Sequence, residues 1–138
     1  MAPLLPMPGF LLLSIALAAF LIYLPYLVVA YGRFQVGYNP SAPRAQFPQL
    51  PAYAQRATWA HENAFESMIT YAPAALMAYL TGQDSNLACA AALLYLVART
   101  FYPLFYILDL PWWRSPMFAI ANLGTLTLYV LSCRAVLG

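Results

Sequence analysis

The sequence predicts an all-α integral membrane protein, a four-helix bundle, and three observations carry that prediction. Apolar residues make up 64% of the chain and charged residues only 7%, against roughly 25% charged in an ordinary soluble domain. Four stretches are each long enough to span a bilayer, which takes about 20 mostly apolar residues. Between them lie short segments rich in proline, glycine, asparagine and aspartate, which break helices. Four spans with their connections use up all 138 residues, so one membrane domain over 1–138 is expected, with helices at about 9–31, 56–81, 87–108 and 114–136.

The first helix rests on 23 uncharged residues from Gly9 to Tyr31, with a kink expected at Pro25. The stretch before it, MAPLLPMPGF, has no basic region of the kind that opens a secretory signal. The first helix is therefore read as retained. Gly32 to Gln55 holds Pro40, Pro43, Pro48 and Pro51 among arginines, an asparagine and glutamines, and reads as the longest loop. Helical character resumes near Arg56 and ends at the turn-rich Thr81-Gly82-Gln83-Asp84-Ser85-Asn86. The third helix is interrupted only by Arg99 and Pro103. Asp109 to Arg114 then turns the chain, with Trp112 and Trp113 suited to the headgroup level. The last helix holds 19 uncharged residues from Ser115 to Cys133.

Charge and cysteine content narrow the function classes. The net charge of +2 comes from six arginines with no basic run, so nothing here would neutralise a series of phosphates and nucleic-acid binding is not indicated. Arg33, Arg44 and Arg56 mark the first loop and Arg114 the third, while the second holds only Asp84. The positive-inside rule then places loops one and three in the cytoplasm and both termini on the extracytoplasmic side, with Arg134 opposing. Cys89 and Cys133 both fall in apolar helical stretches, where a thiol behaves as a small hydrophobe. Their predicted position near one membrane edge leaves open whether they are linked. His61-Glu62 lacks the second histidine of a zinc-protease helix, Phe65 standing there instead, so no metal site is expected. Small residues at Ala88, Ala92, Ala121 and Gly124 fit close helix packing.

The informative feature is the set of ionisable residues at membrane depth, where an unpartnered charge is expensive. Arg56, Trp59, Asn63 and Glu66 are separated by three, four and three residues, which stacks them on one face of the second helix. Arg99, Tyr102 and Tyr106 stack likewise on the third. At about 1.5 Å per residue, Glu66 lies roughly 15 Å in from Arg56 and Arg99 roughly 14 Å in from Leu108. The two ladders therefore face each other rung by rung, and a Glu66–Arg99 ion pair is predicted. Either the ladders pin helix register, or they wall a half-buried polar pocket open to the cytoplasm.

These residues, with Arg114-Ser115 opening the fourth helix, resemble the MAPEG family, the membrane-associated proteins of eicosanoid and glutathione metabolism. The chain looks most similar to its bacterial branch, which implies a bacterial inner membrane. The resemblance further implies a homotrimer in which glutathione, as co-substrate, lies between neighbouring subunits near the cytoplasmic face. Carried over residue by residue, Arg56, Asn63, Glu66, Arg99, Tyr102 and Tyr106 would hold the tripeptide, and Arg114 or Ser115 would stabilise its thiolate. The residue types suit that chemistry: guanidinium groups clamp carboxylates, a carboxylate holds an ammonium group, and a nearby cation lowers a thiol pKa.

The chain also departs from that pattern. Trp59 stands where eicosanoid-forming members usually carry a second arginine, and Glu62 adds a negative charge beside the implied anionic ligand. Two functions are thus expected as alternatives. One is a glutathione-dependent transferase or peroxidase attacking lipophilic electrophiles delivered by membrane lipid. The other is a non-catalytic structural or lipid-binding subunit of a larger membrane complex.

Overall fold

Pro8 precedes the first helix and Pro111 opens the last, and both sit where a missing backbone N–H costs nothing. The computed structural model describes residues 5–138; Met1 to Leu4 of the amino-terminal stretch lie outside the described residues. Four α-helices are formed: α1 (Gly9–Gln35), α2 (Ala52–Leu80), α3 (Asn86–Ile107) and α4 (Pro111–Leu137). A 3₁₀ helix over Pro43–Gln49 lies in the first connection. The described residues contain no strand.

By length and composition, α1, α3 and α4 are each able to cross a membrane. The chain is an integral membrane protein. The 27 residues of α1 rise about 40 Å, more than the roughly 30 Å hydrocarbon core. The fourth expected span, α2, is 29 residues long but falls short of that composition. Its first half carries Arg56, His61, Glu62, Asn63 and Glu66, and all of these but Arg56 border cavities.

Several boundaries differ from the sequence expectation for local reasons. The first helix continues past Tyr31 to Gln35 and so includes Arg33, a cation favourably placed in its last turn. The first connection is folded rather than open. Gln46 is buried, accepting from the Asn39 N–H at 3.0 Å and donating to the Gly37 carbonyl at 2.6 Å. The second helix starts right after Pro51, four residues before Arg56. Trp112, Trp113 and Arg114 belong to the first turn of α4 rather than to the turn before it.

The breaks between α2 and α3 and between α3 and α4 share one device. After α2, Gln83 N–H bonds the Ala78 carbonyl and Gly82 N–H the Tyr79 carbonyl, with Gly82 at φ 67°. After α3, Leu110 N–H bonds Phe105 and Asp109 N–H bonds Tyr106, with Asp109 at φ 59°. Both are Schellman closures, which place one residue in the left-handed region. Glycine adopts that region freely, and Asp is among the few other residues that tolerate it.

The most extensive helix contacts are α3 with α4 and α1 with α2. Each pairing depends on a glycine. A Cβ on Gly124 would lie 2.6 Å from the Ala91 carbonyl oxygen, and one on Gly32 would lie 2.5 Å from the Ala54 Cβ. Ala88, Ala92 and Ala121, singled out in the sequence as packing residues, are all buried. The centre of the molecule is tied by a polar chain. Ser14 donates to the Leu11 carbonyl and bonds Tyr71 Oη at 2.6 Å; Tyr71 stacks on Tyr95 at 3.5 Å; Tyr95 Oη bonds Ser67. Burying these hydroxyls is tolerable because each has a partner. Cys89 is buried, Cys133 is exposed, and both are free thiols.

Candidate functional site

The site residues are delivered by helical spacing on α2 and α3. Arg99 is only 5% exposed, so its charge must find partners within the protein. Its Nη1 donates to Asn63 Oδ1 at 2.9 Å. Asn63 Nδ2 in turn donates to Glu66 Oε2 at 3.4 Å. The Glu66–Arg99 ion pair expected from the ladders is therefore not formed, since Asn63 stands between the two charges. Its amide presents an acceptor to the guanidinium and a donor to the carboxylate at once, which joins the charges without direct contact. The face of Tyr102 lies 4.5 Å from the Arg99 Cζ. Arg99 Nη2 is buried and has no hydrogen-bond partner among the described residues.

Two adjoining cavities open beside this chain. One, of about 430 Å³, is lined by Trp59, Glu62, Asn63, Glu66, Tyr102 and Tyr106. The other, of about 250 Å³, is lined by Tyr102, Tyr106, Arg114, Ser115 and Phe118. Tyr102 and Tyr106 form the wall common to both and meet edge to face at 5.7 Å. The Arg114 Cζ sits 4.3 Å from the Tyr106 ring centroid, a stacking that holds a cation in place without neutralising it. Ser115 Oγ donates to the Pro111 carbonyl at 3.0 Å, so its oxygen is left as an acceptor.

Seven of the eight residues singled out in the sequence belong to this arrangement. Asn63, Glu66, Tyr102, Tyr106, Arg114 and Ser115 line the cavities, and Arg99 stands behind Asn63 and Tyr102. Arg56 does not join them. Its Nε donates to the Ile107 carbonyl at 3.0 Å and its Nη1 lies 4.0 Å from Asp109 Oδ2. There it caps the carboxyl end of α3, where a cation suits the helix dipole. The expected level of Trp59 with Tyr106 matches the structure, their rings lying 6.4 Å apart. Trp59 also meets Phe47 of the first connection at 5.8 Å, a contact that crosses elements and has no local signal in the sequence.

Sequence reasoning missed a third and larger space on the other flank of α2. It measures about 580 Å³ and is lined by α1, the first connection and α2, among them Arg33, Arg44, His61 and Glu62. The signal was present: Thr58, His61, Glu62 and Phe65 repeat at three and four residues and all line it. His61 Nδ1 lies 2.7 Å from the Ile22 carbonyl. A carbonyl only accepts, so Nδ1 is the donor in this contact. Pro25, three residues on in α1, lacks the N–H that would bond the Leu21 carbonyl, one residue before Ile22. Among the described residues no group of three His, Cys, Asp or Glu side chains is arranged to hold a metal ion.

Fold and site together define an integral membrane protein whose polar side chains converge between two of its helices. The profile of the MAPEG family matches residues 10–134, nearly the whole chain. This protein belongs to the MAPEG family. No curated protein and no solved structure matches it.

Proposed function

We propose that the chain is a glutathione-dependent enzyme of the transferase or peroxidase type, acting on lipophilic electrophiles. In this reading it is a four-helix bundle that assembles as a homotrimer, with the cavities near the cytoplasmic face and both termini on the other side. The observation that carries the proposal is the position of Arg114. Its guanidinium is fixed over Tyr106 and lines a cavity continuous, through Tyr102 and Tyr106, with the Asn63–Arg99 chain.

The residues fit the parts of a γ-glutamyl tripeptide with a thiol at its centre. Glu66 suits an ammonium group. Arg99, buried behind Asn63 and Tyr102, fixes the Asn63 amide that lines the cavity. Arg114 suits the sulfur, since a nearby cation favours the thiolate, the nucleophilic form. Glutathione, when bound, would supply that nucleophile. The protein's own part is to orient the peptide, hold the thiolate against Arg114 and admit the electrophile from the lipid. Arg56 enters as a positioning residue: by capping α3 it holds the turn that precedes Arg114.

This reading is tested by the thiolate absorbance of glutathione titrated into the detergent-solubilised protein. A saturable thiolate signal is expected, with Arg114→Gln lowering the fraction ionised at least tenfold. Thiolate formation equal in the two proteins would overturn the role of Arg114. A second reading, a non-catalytic lipid-binding or structural subunit, is favoured by one observation. The larger of the two cavities is lined by two carboxylates and no cation, and Trp59 stands where a second clamp is expected. Binding of glutathione is the outcome that separates the two.

A further inference from the structure

Tyr95 is buried in α3 and is gripped at two points by α2. Its hydroxyl bonds Ser67 Oγ at 3.0 Å, and its ring lies flat on that of Tyr71, the centroids 3.5 Å and the planes 5° apart. Ser67 and Tyr71 are four residues apart, so they stand one above the other on one face of α2. Tyr71 is fixed in turn from α1 by Ser14. A side chain bonded at its tip and stacked along its ring has little freedom to slide or turn.

This grip lies one helical turn from the candidate site on both helices. On α3, Tyr95 precedes Arg99 by four residues; on α2, Ser67 follows Asn63 by four. The two helices run antiparallel, so Ser67–Tyr95 and Asn63–Arg99 are successive rungs between them. The second rung is the weaker. Arg99 reaches α2 through one hydrogen bond, from Nη1 to Asn63, and its buried Nη2 has no partner among the described residues. Its own helix supports it less than usual, because Pro103 lacks the N–H that would bond the Arg99 carbonyl. Hydrogen bonds weaken steeply as their geometry worsens, so a small shift of α3 would part Arg99 from Asn63.

We infer that Tyr95 is a positioning residue for the site: its bond to Ser67 sets the depth and rotation of α3 at which Arg99 meets Asn63, and so holds the Asn63 amide against the cavity it lines. Tyr95 itself lines none of the three cavities and acts through Arg99. Arg114 stands outside this line of support, on α4 and stacked on Tyr106. Loss of the Tyr95 hydroxyl therefore loosens the hold on a bound peptide and leaves the stabilisation of its thiolate in place. The effect on the peptide rests on the thiol reading given above, whereas the effect on Asn63 does not.

Two measurements on the whole detergent-solubilised protein test it. Nitrogen-15 labelling of asparagine alone marks Asn39, Asn63, Asn86 and Asn122, and the side-chain amide signal missing from Asn63→Gln is that of Asn63. In ligand-free protein, Tyr95→Phe and Ser67→Ala are each expected to shift or broaden that signal, and Ser67→Thr, which keeps a hydroxyl, to retain it. Tyr95→Phe with Ser67→Ala is expected to do no more than either alone, since the two changes remove one shared bond. Tyr71→Phe removes a different hydroxyl bond of the same core and keeps the ring stack, so it is expected to leave the Asn63 signal in place; a general loss of stability does not imitate the result. An Asn63 signal unchanged by Tyr95→Phe, or moved equally by Tyr71→Phe, overturns the inference. Glutathione titration is the second measurement. Its Kd is expected to rise about fivefold in Tyr95→Phe, as for the loss of one neutral hydrogen bond, with the ionised fraction of bound thiol unchanged. Added to Asn63→Gln, Tyr95→Phe is expected to raise Kd no further. An unchanged Kd in Tyr95→Phe, or an equal rise in the Asn63→Gln background, also overturns the inference. If the unaltered protein binds no glutathione, the thiol reading fails, and the Asn63 signal decides the role of Tyr95.

Discussion

The two flanks of α2 treat charge in opposite ways. Toward α3, Arg99 is buried and tied through Asn63 to the exposed Glu66, so the charges are joined by a side-chain amide. Toward α1 and the first connection, Arg33, Arg44 and Glu62 border an open space and touch no opposite charge within ion-pair distance. One helix thus carries a chain in which each side chain depends on the next, and beside it a set of unpaired charges. The difference teaches where substitution will hurt. In the first region a lost partner strands a buried group; in the second nothing is stranded.

The largest effect is expected at Asn63. Asn63→Leu leaves both terminal nitrogens of a buried guanidinium unpaired, which costs about 3 kcal/mol. The unfolding equilibrium in mixed detergent should show it. Arg99→Met combined with Asn63→Leu should be less damaging than the sum of the two, with a coupling of about 0.6–1.7 kcal/mol as for other hydrogen bonds between membrane helices. Coupling between Glu66 and Arg99 should be smaller, because Asn63 separates them. A cycle showing the reverse order would restore the direct ion pair.

Tyr71→Phe comes next. It removes the bond to Ser14, yet Ser14 still donates to Leu11, so a loss of about 1 kcal/mol is expected in the same assay. The smallest effect belongs to the open flank: Glu62→Gln should change stability by less than about 0.5 kcal/mol. A loss as large as that at Asn63 would mean that Glu62 has a structural partner, and the contrast between the flanks would fail.

How much of this was legible in the sequence depends on the range of the interaction. The two ladders follow from residues three and four apart, and α3 and α4 brought Tyr102, Tyr106, Arg114 and Ser115 together beside Asn63 and Glu66 as that spacing requires. The level of Trp59 with Tyr106 was legible for the same reason. The direct Glu66–Arg99 pair was a misreading: depth along the helix axis places two residues at one level without saying which side chain between them reaches first. Arg56 was misplaced because its partners, the Ile107 carbonyl and Asp109, exist only once α3 has ended in a Schellman closure. The folded first connection was hidden too, since Gln46 is fixed by backbone groups seven and nine residues away. The cavity beside His61 was within reach, because Thr58, Glu62 and Phe65 keep helical spacing, but its arginines had been read for orientation alone.

The central claim is that the face of α2 toward α3 and α4 holds a thiol ligand. Thermal melting of the detergent-solubilised protein with and without glutathione tests it most directly. A ligand that binds only the folded state at a hundred times its Kd adds about 2.7 kcal/mol. The account predicts a rise in Tm that grows with the logarithm of glutathione concentration and disappears in Arg99→Met. An unchanged Tm across that range, in protein that remains folded and assembled, would contradict it.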